Sequence, residues 1–439
     1  MELFLVKGGQ LILSLSILIV LHELGHFIPA KLFKTRVEKF YLFFDVKFSL
    51  FKKKIGETVY GIGWLPLGGY VKISGMVDES MDTEQLALPA QPWEFRAKPT
   101  WQRLIIMLGG VTVNLVLGFL LYMMIMFVWG RTIITNDALT AGLDPTPQAQ
   151  AIGFAQGDKV LTVNGQELTD ALDVNKWVFL RGAETVTVAR ATGEKETLSI
   201  PEDFGKTLFA SGEMFPLIPL MPAVIGEVVA DSPAAQAGIL PDDRIVGVNG
   251  IAISSWPKVR QAIERQTDAP LVLSIERNNS IQEVTVLAVK DAPIGVFFIE
   301  MRPTSSPVSY SFSESIKEGF DYGYWTLHDY VAQFKFVFTK KGASQLGGFG
   351  TIASLFPAKW DWRVFWERTA LISIILAFMN VLPIPALDGG HVVFLTYEIL
   401  TGRKPHQKVM EYAQMIGIFL LLGLFIYANG NDLYRYLFP

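Results

Sequence analysis

Cysteine is absent from the 439-residue chain, and its absence excludes two kinds of structure. Neither disulfide bonds nor thiolate zinc sites can form, so a bound metal must take its ligands from His, Asp, Glu or water. Charge is also scarce: charged residues make up 18% of the chain, against about a quarter in soluble globular proteins. Because the net charge is −4, we expect no nucleic-acid partner.

What the chain has instead is apolar sequence, since half of its residues are hydrophobic. Four segments approach the roughly 20 apolar residues that cross a bilayer, and they lie near 8–33, 104–129, 364–382 and 410–427. Lys and Arg are concentrated between the first and second segments and between the third and fourth. By the positive-inside rule, we expect both loops to be cytoplasmic and the termini and the long segment 130–363 to lie outside, in a bacterium the periplasm.

The long outer segment contains an internal repeat. Its Asn164-Gly165 pair, which follows a short apolar strand pattern, recurs 85 positions later as Asn249-Gly250. Asn-Gly is the commonest signal for a tight β-hairpin turn. A helical stretch and alternating strands follow in each copy, an order that resembles two PDZ domains in tandem.

The clearest chemical motif is His22-Glu23-Leu24-Gly25-His26, which fits the H-E-x-x-H zinc pattern. Residues four apart share one helix face, so both imidazoles can bind one metal ion. The Glu beside the first His can serve as general base for a water molecule. Ionisable side chains within an apolar span are costly and usually functional. The alternative is a polar helix end at the membrane interface.

A catalytic zinc site takes three protein ligands, and the best third ligand lies near the other end of the chain. There, Pro383 and Pro385 must break the third span. Non-helical backbone at membrane depth persists only against protein or beside a water-filled cavity. Asp388 can therefore supply a carboxylate ligand, although alone it also fits a helix N-cap. His391 is a candidate for supporting the site, whereas His328 and His406 are expected at the surface.

The first basic loop contains two β-prone stretches, Thr58–Trp64 and Tyr70–Ile73, around the turn residues 66–69. We expect a β-hairpin that dips into the membrane beside the metal, with an ordinary cytoplasmic hairpin as the alternative. An unpaired strand edge would let an extended substrate add as a further strand. The candidate substrate-binding residues in this loop are Gly61, Ile62, Gly63, Pro66, Gly68 and Gly69.

The H-E-x-x-H motif in the first span and the N-x-x-P-x-P-x-L-D-G segment that begins at Asn380 occur together here. In both, the chain resembles the site-2 protease family of intramembrane metalloproteases, over nearly its whole length. The resemblance implies that Glu23 activates the water and that Zn²⁺ is bound by His22, His26 and Asp388. It implies further that the substrate backbone is handled by Asn380, Pro383 and Pro385.

The same resemblance implies the substrates: transmembrane segments of single-span proteins in the bacterial inner membrane. These are an anti-sigma factor in envelope-stress signalling, already trimmed on its outer side, and remnant signal peptides. The PDZ pair is open to two interpretations. It binds a peptide terminus in a groove, or it acts as a gate that excludes substrates with large outer domains.

The expected fold class is a polytopic α-helical membrane protein with four transmembrane helices, a membrane-associated β-hairpin and two periplasmic PDZ (α+β) domains. In chain order, the predicted divisions are transmembrane helix 1 (1–33), the cytoplasmic loop with the hairpin (34–103), transmembrane helix 2 (104–130), PDZ domain 1 (131–218), PDZ domain 2 (219–303), a periplasmic juxtamembrane amphipathic region (304–363), transmembrane helix 3 with the proline segment (364–390), and a loop, transmembrane helix 4 and short periplasmic tail (391–439).

Three rival functions use parts of the same pattern. A membrane-anchored PDZ adaptor with a vestigial metal site would be expected to lack one of the four metal-site residues, and all four are present. A zinc membrane protease of another family would take a downstream Glu as third ligand. A transporter also uses broken helices, but normally with more spans and an inverted repeat. The ligands themselves also suit other divalent ions.

Overall fold

The computed structural model describes residues 2–66, 68–76, 89–253, 255–264, 270–287, 293–299 and 303–438; Leu67, in the expected hairpin turn, lies outside this range. Contacts divide the chain into two compact units. The first, here called the membrane unit, is formed by Met1–Gly130 and Ser309–Pro439. The second, the inserted unit, is Arg131–Val308.

In the first part of the membrane unit, four strands follow one long helix in the sequence and precede a second. Its elements are α1 (Glu2–Leu32), β1 (Val37–Leu42), β2 (Phe44–Ile55), β3 (Thr58–Leu65), β4 (Tyr70–Ile73) and α2 (Thr100–Val128). The strands form one sheet in the order β2-β3-β1-β4. β4 is therefore an edge strand, and no strand pairs with its other side in the described part of the chain.

The hairpin expected from Thr58–Trp64 and Tyr70–Ile73 is wrong, because β3 and β4 do not pair with each other. β1 lies between them, parallel to β3 and antiparallel to β4. Tyr41 of β1 stands opposite Gly61 on one side and Tyr70 on the other. A side chain at Gly61 would clash with the buried Tyr41 ring, at 2.3 Å from Cε1. Because glycine has no side chain, β1 can lie between β3 and β4. The hairpin in this loop is β2–β3, which turns at Gly56.

The inserted unit consists of short strands and helices. In chain order these are β5 (Arg131–Ile133), β6 (Leu143–Pro145), α3 (Pro147–Ala151), β7 (Lys159–Val163), β8 (Gln166–Glu167), α4 (Val174–Phe179), β9 (Thr185–Ala189), β10 (Lys195–Ser199), α5 (Phe204–Ser211), β11 (Leu217–Pro219), β12 (Ile225–Val228), α6 (Pro233–Gln236), β13 (Arg244–Val248), β14 (Ile251–Ala252), α7 (Trp256–Glu264), β15 (Leu271–Arg277), β16 (Ser280–Val286), β17 (Val296–Phe298) and β18 (Ser306–Val308).

The internal repeat is visible in this topology. The sheets β10-β9-β7-β8 and β14-β13-β15-β16 have equivalent strand orders, and each repeat has its own buried apolar core. Asn164-Gly165 and Asn249-Gly250 all have positive φ, as the predicted two-residue turn requires. The last strand of each repeat pairs with its first, β11 with β6 and β17 with β12. The two ends of the inserted unit pair with each other as β5 and β18.

The rest of the membrane unit is helical. It comprises α8 (Phe312–Val337), α9 (Lys340–Gln345), α10 (Phe349–Ser354), α11 (Trp362–Val381), α12 (Asp388–Thr401) and α13 (Gln407–Leu437). A capping box of Ser311 and Glu314 fixes the start of α8, which packs against α2 where Gly319 meets Met123. The expected break in the third span is present, because α11 ends at Val381 and α12 begins only at Asp388.

Within the described residues, four helices are long and apolar enough to cross a membrane: α1, α2, α11 and α13. The number of spans expected from the sequence is thus confirmed. The chain is a polytopic membrane protein with an additional α+β unit inserted between its second and third spans.

Candidate metal centre

The two histidines of the H-E-x-x-H motif lie one turn apart on α1, where this helix crosses α2 very closely. A Cβ on Gly25 would lie 2.4 Å from the Gly109 carbonyl oxygen, and one on Gly110 would lie 2.3 Å from His26 Nε2. Small residues allow membrane helices to approach until their backbones touch. Three glycines therefore make the space in which both imidazoles lie between the helices.

Asp388, from the far end of the chain, completes a cluster with these histidines. His22 Nε2 and His26 Nε2 are 3.2 Å apart, and Asp388 Oδ2 lies 3.3 Å and 3.4 Å from them. Zinc bonds of about 2.0–2.1 Å at tetrahedral angles place ligand atoms about 3.3–3.4 Å apart. Oδ2 is also buried without a hydrogen-bond partner. The donor set and its spacing fit a zinc ion bound by three protein ligands.

The helix-cap alternative for Asp388 does not match the structure. The N-cap of α12 is Leu387, with no side-chain cap bond, and Asp388 is the first helical residue. The preceding turn contains Ala386 at φ +76°, a conformation that is uncommon for residues other than glycine. The Ala386 N–H donates to Gln414 Oε1 of α13 at 3.1 Å. The fourth span thus supports the turn that presents the aspartate.

Glu23 lies beside this cluster and faces β4. Its carboxylate accepts a hydrogen bond from the Val71 N–H, and a Cβ on Gly69 would lie 3.6 Å from Glu23 Cγ. Glu23, Val71 and the three cluster residues line a cavity of about 340 Å³. A carboxylate, a metal-ligand set and a strand edge therefore share one space that is large enough for water and a peptide.

The candidate substrate-binding residues do not all reach this cavity. Gly69 lines it. Gly61, Ile62 and Gly63 belong to β3, on the far side of β1, and a Cβ on Gly63 would lie 2.2 Å from the Phe44 carbonyl oxygen. Gly68 packs against the Phe44 ring, and Pro66 lies in the segment that crosses β1. Gly61, Gly63 and Gly68 thus make room for β1 and Phe44.

The residues of the proline segment lie on both sides of the helix break. Asn380 is half-buried at the end of α11 and Pro383 is exposed. A Cβ on Gly417 of α13 would lie 1.8 Å from the Pro385 carbonyl oxygen, so the proline segment packs directly against the backbone of α13.

Among the remaining histidines, His391 lines the cavity, His328 pairs with the neighbouring Asp329 at 3.4 Å, and the His406 side chain caps α13. The last two thus have local roles on their own helices, away from the cluster residues.

The sequence patterns missed two residues that contact the histidines of the cluster. Asn114 of α2 contacts His22, and the Ile106 carbonyl contacts His26. The available signals were the adjacent Gly109-Gly110 pair and an isolated Asn within an apolar span, where polar residues are usually functional.

Two histidines and an aspartate lie around one point with a glutamate beside them, and the histidines and the glutamate are on the first candidate span; this is the arrangement expected of a membrane metalloprotease. Comparison with protein families matches residues 10–424 to peptidase family M50. The chain belongs to this family, the site-2 proteases, as its motifs indicated. It is a zinc metalloprotease, with Zn²⁺ as its cofactor.

Relatives of known name align along almost the entire chain. The regulator of sigma E protease of Haemophilus influenzae is 26% identical, over 98% of this chain and 99% of its own. That of Salmonella typhimurium is 28% identical, over 97% of each chain. A Neisseria meningitidis protein named "Putative zinc metalloprotease" is 29% identical, over 97% of this chain and 98% of its own.

Proposed function

We propose that the chain is an intramembrane endopeptidase that hydrolyses a peptide bond in the transmembrane segment of a single-span protein. The observation that carries this proposal is the cluster of His22, His26 and Asp388 with Glu23 beside it. Zn²⁺ would be held by the two imidazoles and the Asp388 carboxylate. When bound, zinc polarises the scissile carbonyl and lowers the pKa of the attacking water toward 7.

Glu23 carries out the proton transfers in this scheme. Its carboxylate takes a proton from the attacking water and later passes that proton to the leaving amine, the usual work of a general acid–base group. The hydrogen bond from the Val71 N–H holds the carboxylate beside the cavity. Because the cavity is bordered by helix and strand alike, water and the scissile bond can meet there, shielded from lipid.

The outer edge of β4 is the proposed substrate site. A transmembrane helix satisfies its peptide groups internally, so it must unwind before hydrolysis. The Ser74 N–H bonds to the Arg36 carbonyl, which makes Val37 and Ile73 a non-hydrogen-bonded pair. The Ile73 N–H, like the Val71 N–H, therefore points away from β1, whereas the Ile73 carbonyl accepts from the Met76 N–H. An unwound substrate strand can pair with the Ile73 N–H beside Glu23, with Asn380, Pro383 and Pro385 as further contacts.

The inserted unit is proposed to be a PDZ pair that filters substrates by size. PDZ domains bind peptides by adding a strand to a sheet edge. In the first repeat, the Leu217 N–H donates to Asn175 Oδ1 at 2.9 Å and the Asn175 Nδ2 donates to the Leu217 carbonyl at 2.8 Å. The Asn175 carboxamide therefore occupies the backbone groups of Leu217 with which a bound peptide strand would pair. The next outward residue of β11, Pro219, has no N–H. Both features favour a steric gate over peptide binding in this repeat.

The physiological setting follows from the relatives named as regulators of sigma E protease. We propose a role in envelope-stress signalling, with an anti-sigma factor and remnant signal peptides as substrates in the bacterial inner membrane. The distribution of Lys and Arg supports an active site toward the cytoplasm, and periplasmic termini and inserted unit.

The test is cleavage of a tagged single-span substrate in membranes by the wild-type chain, Glu23→Gln and Asp388→Ala. Glu23→Gln should retain zinc and lose about 10²–10⁴-fold in rate, because the metal ligands remain and the base is gone. Asp388→Ala should lose both zinc and activity. Zinc content is measured on the purified proteins. If both variants cleave like the wild type, the catalytic assignment fails and the membrane-anchored PDZ adaptor becomes the better interpretation.

A further inference from the structure

The two metal-site imidazoles differ in what contacts their second ring nitrogen. His26 Nδ1 lies 2.8 Å from the Ile106 carbonyl oxygen. A carbonyl can only accept, so Nδ1 carries the proton and Nε2 is free for a metal. His22 Nδ1 instead lies 3.2 Å from a side chain, the carboxamide of Asn114 on α2. The backbone sets one tautomer, whereas a replaceable side chain sets the other.

The Asn114 carboxamide is buried and incompletely bonded. The residue is 1% exposed, and its Oδ1 has no hydrogen-bond partner, while its Nδ2 faces His22 Nδ1. The oxygen and nitrogen of a carboxamide have nearly the same shape, and their assignment follows from the hydrogen-bond network. A half-turn of the group brings Oδ1 onto the Nδ1–H that a metal-ligating His22 carries. The orphaned oxygen then has a donor.

The backbone around Asn114 is held in place from a third helix. Its carbonyl oxygen accepts a hydrogen bond from Ser373 Oγ of α11 at 2.7 Å, and Ser373 is fully buried. α1, α2 and α11 thus meet at His22, Asn114 and Ser373. This arrangement keeps the carboxamide directed at the imidazole.

We propose that Asn114 is a positioning residue for the metal centre. Its carboxamide oxygen accepts the His22 Nδ1–H, which fixes the ring orientation and the tautomer with Nε2 free for the metal. The inference rests on the proposed ligand role of His22. Residues that hold a ligating histidine in this way usually contribute 10–100-fold to metal affinity or activity. A structural alternative is that Asn114 only joins membrane helices by a polar contact.

Two substitutions separate these roles in the full-length protein purified in detergent. Asn114→Leu has nearly the same size but no acceptor, and Asn114→Asp retains an acceptor oxygen. Zinc affinity is measured by competition with a chromophoric chelator, and the ligand field by the visible absorption of the Co²⁺-substituted protein. Asn114→Leu should lose about 10–100-fold in zinc affinity and show an altered Co²⁺ spectrum. Asn114→Asp should stay within a few-fold of the wild type.

Thr369→Val is the matched control, because Thr369 Oγ1 makes a buried hydrogen bond at 3.0 Å to Ser14 Oγ that also joins α11 to α1. It should lower the thermal stability of the metal-free protein and leave zinc affinity unchanged. If Asn114→Leu behaves in the same way, Asn114 is only a helix contact and the inference is wrong. His22→Ala provides the second control: wild-type zinc affinity in that variant would overturn the ligand assignment itself.

Discussion

At Gly110, the side chain is a single hydrogen atom, and the space beside the two imidazoles has no room for a larger one. Gly110 faces the rings directly, and a methyl group there would lie 2.3 Å from His26 Nε2 and 2.6 Å from His22 Cε1. Such distances require the rings or the helices to move. Because interiors are close-packed, the displacement would be passed to the metal ligands. The absence of a side chain is therefore as important here as the ligands themselves.

Gly110→Ala should abolish zinc binding and activity, although alanine favours a helix. Gly9→Ala is the matched control on α1, because its Cβ would meet nothing within 4 Å, and the exchange should be neutral or stabilising by up to about 1 kcal/mol. Both variants are compared by zinc content, cleavage rate and thermal stability. A Gly110→Ala protein with full zinc content and normal cleavage would show that the close approach is dispensable.

At the scale of strands, each repeat of the inserted unit contains a buried aspartate that forms an ion pair with an arginine. Asp158 pairs with Arg190 and Asp243 with Arg277, at equivalent places in the two repeats. Burial raises the pKa of Asp158 above its ordinary value. Burial acts in the same direction on Asp243, but the Arg277 hydrogen bonds and the Leu240 N–H outweigh it and lower the pKa of Asp243. The second pair thus stabilises the ionised acid.

Arg277→Leu should destabilise the second repeat by roughly 2–3 kcal/mol, because it leaves the Asp243 carboxylate buried without its bidentate partner. In the wild type, a lowered folded-state pKa gives stability that is present at neutral pH and lost as the pH falls below about 4. Hydrogen exchange of β13 and β15 in the full-length protein measures the effect. Arg244→Leu, which removes an exposed pair at 3.7 Å, should cost less than about 1 kcal/mol; equal effects would contradict the ranking.

If the substrate pairs with the free edge of β4, the effect of blocking a substrate N–H should alternate with a period of two residues. Only alternate residues of a substrate strand direct their N–H toward this edge. A synthetic substrate N-methylated at one position should lose about tenfold in kcat/KM, the loss of roughly one hydrogen bond. Shifting the methyl group by one residue should restore cleavage. Kinetics across a methyl scan check this, and a uniform decline at all positions would rule out strand addition.

The sequence predicted what local spacing controls. His22 and His26 are a helical turn apart, and the two prolines before Asp388 must end a helix, so both could be placed without a structure. The position of β1 could not, since its pairing with β3 and β4 depends on how Tyr41 fits against Gly61. Asn114 lies 92 positions from His22, and an isolated Asn in an apolar span does not by itself reveal which side chain it contacts. Contacts between helices distant in sequence are set by packing.

Across the whole molecule, the metal centre joins the two ends of the chain. His22 precedes the inserted unit in the sequence and Asp388 follows it, and the two ends of the inserted unit pair with each other. There, β5 and β18 pair over three residues, with Ser306 opposite Ile133 and Val308 opposite Arg131. Just inside the membrane unit, Phe127 of α2 contacts Phe312 of α8 at 5.7 Å. The inserted unit should therefore be removable at the β5–β18 ladder.

Replacing residues 134–305 with an Asn-Gly turn should leave the membrane unit folded and zinc-loaded. Cleavage of a substrate with a short outer tail should continue, because the ligands and β4 belong to the membrane unit. A substrate with a folded outer domain, resisted by the wild type, should now be cleaved if the inserted unit is a size filter. Both substrates are compared in membranes. Loss of zinc in the deletion protein would show that the membrane unit depends on the insert.

The β5–β18 ladder also bears on how the chain folds. Joining α2 to α8 through an open loop of the 178 residues in Arg131–Val308 carries a large closure entropy. Once the ladder has formed, the effective loop is only a few residues long. With the logarithmic dependence of closure entropy on length, this saves about 3 kcal/mol. If the inserted unit folds first, the second span and α8 become neighbours. Asp388, which is synthesised after the inserted unit, can then reach His22 and His26, which are synthesised before it, at little further entropic cost.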